Sequence, residues 1–384
     1  MAGHAQYQNE IYLQGLADQV PPFTTDATRV EALAEAEMAP GPFGYVAGGA
    51  GSGDTVRANR EAFSRWRIVP RMLTDATTRD LSTTVLGTAV PAPVLLAPVG
   101  VQSIVHPEGE LATARAAAAL DVPIVLSTAS SYPLEEVAAA GGPRWFQLYW
   151  PNDPEVCASL LRRAKAAGYT ALVVTLDTWT LAWRPRDLDQ AYLPFLRASG
   201  VANAFTDPVF LAGLEKSPEE DQPMAILRWV SLFTGTDKRW DQLPFLREHW
   251  DGPIALKGIQ HVDDARRAAD AGMDAVIVSN HGGRQVDGAL AALDALPEIA
   301  QAVGDRLEVL FDSGIRTGAD VLKALALGAK AVLLGRPYVY GLALAGEAGV
   351  RHAVRGLLAD LDLTLGLSGY RTPAELTPSA LRRI

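Results

Sequence analysis

Residues 275–285 read AVIVSNHGGRQ. Four apolar residues, three of them β-branched, run into Ser279 and Asn280. A short apolar run closed by turn residues is the pattern of a strand buried on both faces. The chain then sets His281, two glycines and Arg284 within one turn. Histidine titrates nearest neutrality, so it can take a proton and give it back. Arginine offers a planar fork to a carboxylate or phosphate. Gly282 and Gly283 let the backbone pass close to a flat ligand. A lone histidine at a strand end is more often a polar turn; strand, base, glycines and cation together point to a site.

The same pattern recurs on both sides of this stretch. PVLLAPVG, VPIVLSTA, RWFQLYW, ALVVTLD, PIALKG, EVLFDSG and AVLLGRP are further short apolar runs, most separated by amphipathic helical segments. Strands alternating with helices give a parallel sheet, and eight of them suit an α/β (β/α)8 TIM barrel. An open doubly wound sheet is the alternative, but no GxGxxG follows an early strand. The expected organisation is one domain. Residues 1–92 form an N-terminal helical extension, 93–340 the barrel, 178–250 a long fourth-loop lid, and 341–384 a C-terminal helical tail. Thr28 to Met38 reads as a helix, and Asp54 as the cap of another.

The carboxyl ends of the runs carry Gly100, Ser127, Gln147 with Tyr149, Thr175 with Asp177, Lys257, Ser279 to His281, Asp312, and Gly335 with Arg336. Buried strands should not end repeatedly in groups that need partners unless those groups face a ligand. Gly314, Arg316, Gly335 and Arg336 follow strands seven and eight, where barrels commonly bind phosphate. Asp312 can accept from sugar-like hydroxyls. A phosphorylated substrate would fit this corner as well as a cofactor. Lys257 alone would equally suit a Schiff-base nucleophile.

Composition narrows the partners. The chain has 384 residues and a net charge of −10, which argues against nucleic acid and anionic membrane. Cys157 is the only cysteine, so neither an intrachain disulfide nor a multi-cysteine metal site can form. No metal is expected. No signal peptide and no membrane span is visible, and the expected location is cytoplasmic.

SNHGGRQ, with LDTWTLAWRPRDL, LKGIQHVDDAR and FDSGIRTGADVLKALALGA, resembles the FMN-dependent α-hydroxy acid oxidase and dehydrogenase family, from about Tyr45 to Tyr370. The resemblance implies FMN as cofactor, with flavin contacts at Pro98, Val99, Gly100, Ser127, Gln147, Thr175, Lys257, Ser279, Asp312, Gly314, Arg316, Gly335 and Arg336. Lys257 would face the N1–C2=O edge and stabilise the reduced flavin. Tyr45, Arg184 and Arg284 would hold the carboxylate of a small 2-hydroxy acid. His281 would be the base, Asp177 its partner, and Tyr149 a donor to the substrate hydroxyl. O2 is the implied acceptor, and a homo-tetramer or homo-octamer the implied assembly.

YQNEIYLQGL, YVAGGAGSGDT and the long fourth loop resemble the lactate 2-monooxygenase branch most closely. A peroxide-releasing oxidase of lactate or another 2-hydroxy acid is the alternative, and an FMN-dependent isomerase a more distant one. Ala129 stands where some relatives carry Trp or Leu, which implies a roomier side-chain pocket. Gly100 would leave room for oxygen beside flavin N5, the alternative being that a glycine there is only a packing choice.

Overall fold

Eight parallel strands close on themselves in sequence order: β1 Val94–Leu96, β2 Ile124–Ser127, β3 Arg144–Tyr149, β4 Leu172–Thr175, β5 Ile254–Ile259, β6 Ala275–Val278, β7 Glu308–Phe311 and β8 Ala331–Leu334. β8 pairs back onto β1 through Val332–Val94 and Leu334–Leu96. A helix follows each strand, from Gly109–Ala118 after β1 to Arg336–Leu367 after β8. This is the (β/α)8 TIM barrel expected from the sequence. The molecule is a computed structural model that describes residues 3–235 and 238–384. Two positions of the expected 178–250 lid, 236 and 237, lie outside the described residues.

Alternation along each strand sorts the side chains into two cores. Leu95, Val125, Trp145, Val173, Ala255, Ile277, Leu310 and Leu333 point inward. Leu96, Leu126, Phe146, Val174, Leu256, Val276, Phe311 and Leu334 point outward and pack under the helices. The next inward position on β2 to β8 is Ser127, Gln147, Thr175, Lys257, Ser279, Asp312 and Gly335. Period two therefore brings one polar or open position from each of these strands to the same end of the barrel.

The other end is plugged. The hairpin Thr83–Val85 with Thr88–Val90 inserts Val85, Leu86 and Val90 into the inner core. Trp145 Nε1 donates to Thr88 Oγ1 at 3.1 Å and Leu86 N donates to Glu308 Oε2 at 3.0 Å. With that mouth shut, ligands reach the barrel axis from the carboxyl ends alone.

Helix starts obey local chemistry. Asp153 caps Pro154–Ala166 through Glu155 N and Val156 N, and Thr317 forms a capping box with Asp320. Thr28 to Met38 forms a helix over Val30–Glu37. Asp54 is not the cap of Asp54–Ser64 but its first residue; Gly53, at φ 75°, precedes it. The capping carboxylate comes from Asp287, which accepts from Ser52 N at 2.6 Å and Asp54 N at 2.8 Å. Arg336–Leu367 runs across the expected 340/341 boundary, broken only at Ala345 and Gly346.

Leu310 is fully buried at the centre of the inner core. Leu310→Ala should cost about 2–5 kcal/mol, because the closed ring of strands around the inner core cannot collapse into the void. Urea unfolding should show the lower midpoint.

Candidate active site

The inward polar positions satisfy one another. Ser127 Oγ donates to Gln147 Oε1 at 3.0 Å, and Gln147 Nε2 donates to Thr175 Oγ1 at 2.9 Å. Lys257 Nζ lies 3.0 Å from Ser279 Oγ and 2.9 Å from Asp312 Oδ2. Burial would lower the Lys257 ammonium, but Asp312 and Asp177 reverse this and raise it. It stays charged although only 3% exposed. A desolvated cation held this way costs stability unless it acts on a ligand.

Above this layer lies a cavity of about 310 Å³. Its floor holds Lys257, Asp312 and the Ala97–Gly100 backbone, and one end holds Gly314, Arg316, Gly335 and Arg336. Ser127, Gln147, Thr175 and Ser279 do not line it; they brace the groups that do. A side chain on Gly335 would project into open space, its Cβ meeting nothing nearer than Ala97 Cβ at 3.9 Å. The donor set and this open cradle fit a flat anionic cofactor of the FMN type.

Arg336 and Gly100 make further contacts that the sequence did not show. The Arg336 guanidinium bonds the carbonyls of Val46, Gly48 and Gly282 at 2.9–3.0 Å. It starts the helix after β8 and turns toward the N-terminal extension, so it ties that extension to the His281 turn as well as lining the cavity. At Gly100, which also lines the cavity, a Cβ would lie 2.5 Å from Ala129 O and 2.7 Å from Ala129 Cβ. Close packing of the loops after β1 and β2 therefore requires a glycine here.

His281 sits over the other end of the cavity. Its backbone is left-handed, φ 57°, and Gly282 and Gly283 follow at 66° and 77°. Such a run is strained for a histidine and needs outside support. Ser279 Oγ accepts from His281 N at 3.0 Å, Ser313 Oγ from Gly282 N at 3.0 Å, and Asn280 Oδ1 from Gly283 N at 3.1 Å. Asn280 and Asn59 exchange reciprocal amide hydrogen bonds of 2.8 Å. His281 Nδ1 is 2.8 Å from Asp177 Oδ1, and Thr178 Oγ1 donates to the same oxygen at 2.9 Å.

Burial pulls the His281 imidazole below its ordinary 6.5, and Asp177 only partly restores it. Burial alone would raise the Asp177 carboxyl, but His281 and Lys257 more than reverse that and hold it at about 2. A neutral imidazole beside an ionised carboxylate is a base ready to be charged.

Arg184 and Arg284 both line the cavity near Tyr45 and Tyr149. Arg184 is 4% exposed, which excludes a surface role. Its Nε donates to Arg284 O at 2.9 Å and its Nη2 to Gln285 Oε1. Burial, with Arg284 beside it, lowers Arg184 to about 10. Arg284 Nη1 donates to the carbonyls of Tyr45 and Gly48, with the guanidinium 5.0 Å from the Tyr45 ring centre. Two neighbouring guanidiniums facing one cavity repel, and a carboxylate between them relieves the repulsion. Burial also raises the Tyr45 and Tyr149 hydroxyls, so both remain protonated donors.

The fourth loop closes the top. Leu193, Phe195, Trp229, Val230 and Phe233 line the cavity, facing Ala129. Tyr45, Phe195, Trp229 and Phe233 form a continuous aromatic chain with ring centres 4.7–6.3 Å apart. None of these five lid residues was foreseen from sequence as lining the cavity, nor were Thr178, Gln285 and Asn59 as its supports. Thr178, beside Asp177 in TLDTW, and Gln285, at the end of SNHGGRQ, had visible cues.

A family model described as FMN-dependent dehydrogenase matches residues 34–383. This chain belongs to that family. It is an FMN-dependent 2-hydroxy acid oxidoreductase. An FMN-dependent alpha-hydroxy acid dehydrogenase of Penicillium citrinum is 50% identical over 98% of this chain and 96% of its own length. An L-lactate oxidase of Lysinibacillus sphaericus is 42% identical over 94% and 93%. A crystal structure of mandelate oxidase superposes with a TM-score of 0.83 at 39% identity, covering 94% of this chain and 98% of that one. Among the described residues no helix is long and apolar enough to cross a membrane, and no metal-ligand cluster occurs.

Two outcomes follow from this geometry. The base works when neutral, and its proton affinity lies below the ordinary value. The acid limb of flavin reduction should therefore fall below pH 6.5. The same shift makes the unfolded chain bind this proton first, so His281 lowers stability as pH drops through that window. Asp177→Asn removes the charge that stabilises imidazolium and should slow reduction by about 10²–10⁴. Rapid-mixing reduction across pH checks both. Ala129→Leu should shift preference from 2-hydroxybutyrate toward lactate by about 10–200-fold, the worth of the substrate's one extra methylene in an apolar pocket; kcat/KM for each acid measures it.

Proposed function

We propose that this chain oxidises L-2-hydroxy acids with O2 as acceptor, and that lactate is converted mainly to acetate, CO2 and water. FMN when bound supplies the two-electron acceptor for the substrate and the donor to O2. The chain's own residues do the rest. Arg184, Arg284 and Tyr45 clamp the carboxylate, and Tyr149 holds the 2-hydroxyl. His281 takes the hydroxyl proton while Asp177 stabilises the imidazolium. Lys257 places positive charge where the reduced cofactor gathers electrons. Pro98 to Gly100 present backbone beside the reacting edge.

The observation that carries the monooxygenase outcome is the closed roof over a double-arginine clamp. Two-electron reduction of O2 gives H2O2 beside the 2-oxo acid just formed. If pyruvate has left, the products are pyruvate and H2O2. If it is held, H2O2 adds to its carbonyl, the C1–C2 bond breaks, CO2 departs, and acetate and water remain. Slow release under a lid favours the second course. The names of several relatives, L-lactate oxidase and 4-hydroxymandelate oxidase among them, favour the first. Product analysis in air, without catalase, separates them: we expect acetate and CO2 to match O2 uptake. Pyruvate with stoichiometric H2O2 would make the protein an oxidase.

A further inference from the structure

The two halves of the roof are fastened differently. Around Phe195 to Phe210, buried Asn203 accepts from Leu134 N at 2.8 Å and donates to Thr128 O at 3.0 Å. Arg163 adds bonds to Asn203 O, Thr206 and Asp207. This half is anchored to the barrel at several buried points.

The helix Gln222–Phe233 is held by packing, with Trp229 and Leu232 buried against Val156 and Leu160, and has few polar ties. A helix ends with carbonyls that lack intrahelical partners; Gly235, at φ 65°, follows the cap residue Thr234, but among the described residues neither backbone N–H returns to the helix. Asn152 supplies partners instead. Its backbone N donates to Leu232 O at 2.8 Å, and its Nδ2 donates to Ser231 O at 3.2 Å and Thr234 O at 3.1 Å. The neighbouring Asp153 lies 3.6 Å from Arg228 of the helix. Among the described residues, these are the hydrogen bonds and ion pairs that join this helix to the barrel. Asn152 itself is exposed, in the loop after β3, three residues beyond Tyr149. The carbonyls it holds belong to the same turn that puts Trp229, Val230 and Phe233 against the cavity.

We propose that Asn152 is a latch: a positioning residue that holds the Gln222–Phe233 helix shut over the 2-oxo acid. It thereby sets how long the product stays beside newly formed H2O2. The argument rests on the proposed function only in taking product retention to decide the outcome. Latching acts through donated hydrogen bonds, not through bulk. Asn152→Asp keeps the size, loses the amide donors and sets a carboxylate against the negative end of the helix. It should therefore open the roof at least as much as Asn152→Ala does.

The test uses the FMN-loaded protein and pyruvate as probe. Loss of two side-chain bonds should raise pyruvate dissociation from the reduced protein about tenfold in both variants. Amide exchange over residues 231–235 should quicken with it, while exchange around Asn203 stays slow. In air, the ratio of pyruvate plus H2O2 to acetate should rise accordingly. If the wild type already releases pyruvate with stoichiometric H2O2, the monooxygenase reading fails, and the latch is judged by dissociation and exchange alone. Unchanged dissociation and exchange in both variants, or an Asn152→Asp protein that behaves as wild type, would overturn the latch.

Discussion

A closed parallel barrel plugged at one end leaves its inward side chains one place to be polar, the open carboxyl rim. That constraint organises the molecule. Strand alternation brings Ser127, Gln147, Thr175, Lys257, Ser279 and Asp312 to the rim, where water is scarce and each group needs a partner. Lys257 finds Ser279 and Asp312; Gln147 bridges Ser127 and Thr175. The braced rim leaves one fixed positive charge under a flat cavity. The same order that satisfies these groups creates the environment a reduced flavin requires.

The catalytic turn depends on elements far away in sequence. His281 could not hold a left-handed backbone on its own strand's account. Asn59 reaches it through Asn280, Asp287 fixes the turn to residues 52–54, and Arg336 bonds Gly282 O together with Val46 O and Gly48 O. The N-terminal extension is thus part of the site. It carries Tyr45 into the cavity and supports the loop that presents the base. The fourth loop completes the enclosure with side chains that meet only when the chain is folded.

What the sequence made legible follows from periodicity. Eight apolar runs with polar ends were visible because alternation is local, and so were the residues at those ends. The Asp177–His281 pairing rested on resemblance, since 104 positions separate the two. Long-range supports were invisible for the same reason. Nothing in DTVRANREAF marks Asn59 as the partner of Asn280, and nothing near Asp287 marks it as the cap of a helix that starts at Asp54. The close packing of Gly100 was invisible because its neighbour, Ala129, comes from another loop. The roof aromatics carried no local signal in the sequence; their function arises from tertiary placement.

The most direct test of the central claim, that His281 held by Asp177 is the base serving an FMN cavity, is anaerobic rapid mixing of the FMN-loaded protein with L-lactate. The account requires the yellow absorbance to bleach in the wild type. In His281→Ala, with FMN still bound, it requires bleaching slower by about 10²–10⁴ or more. Bleaching of His281→Ala at close to the wild-type rate would contradict it.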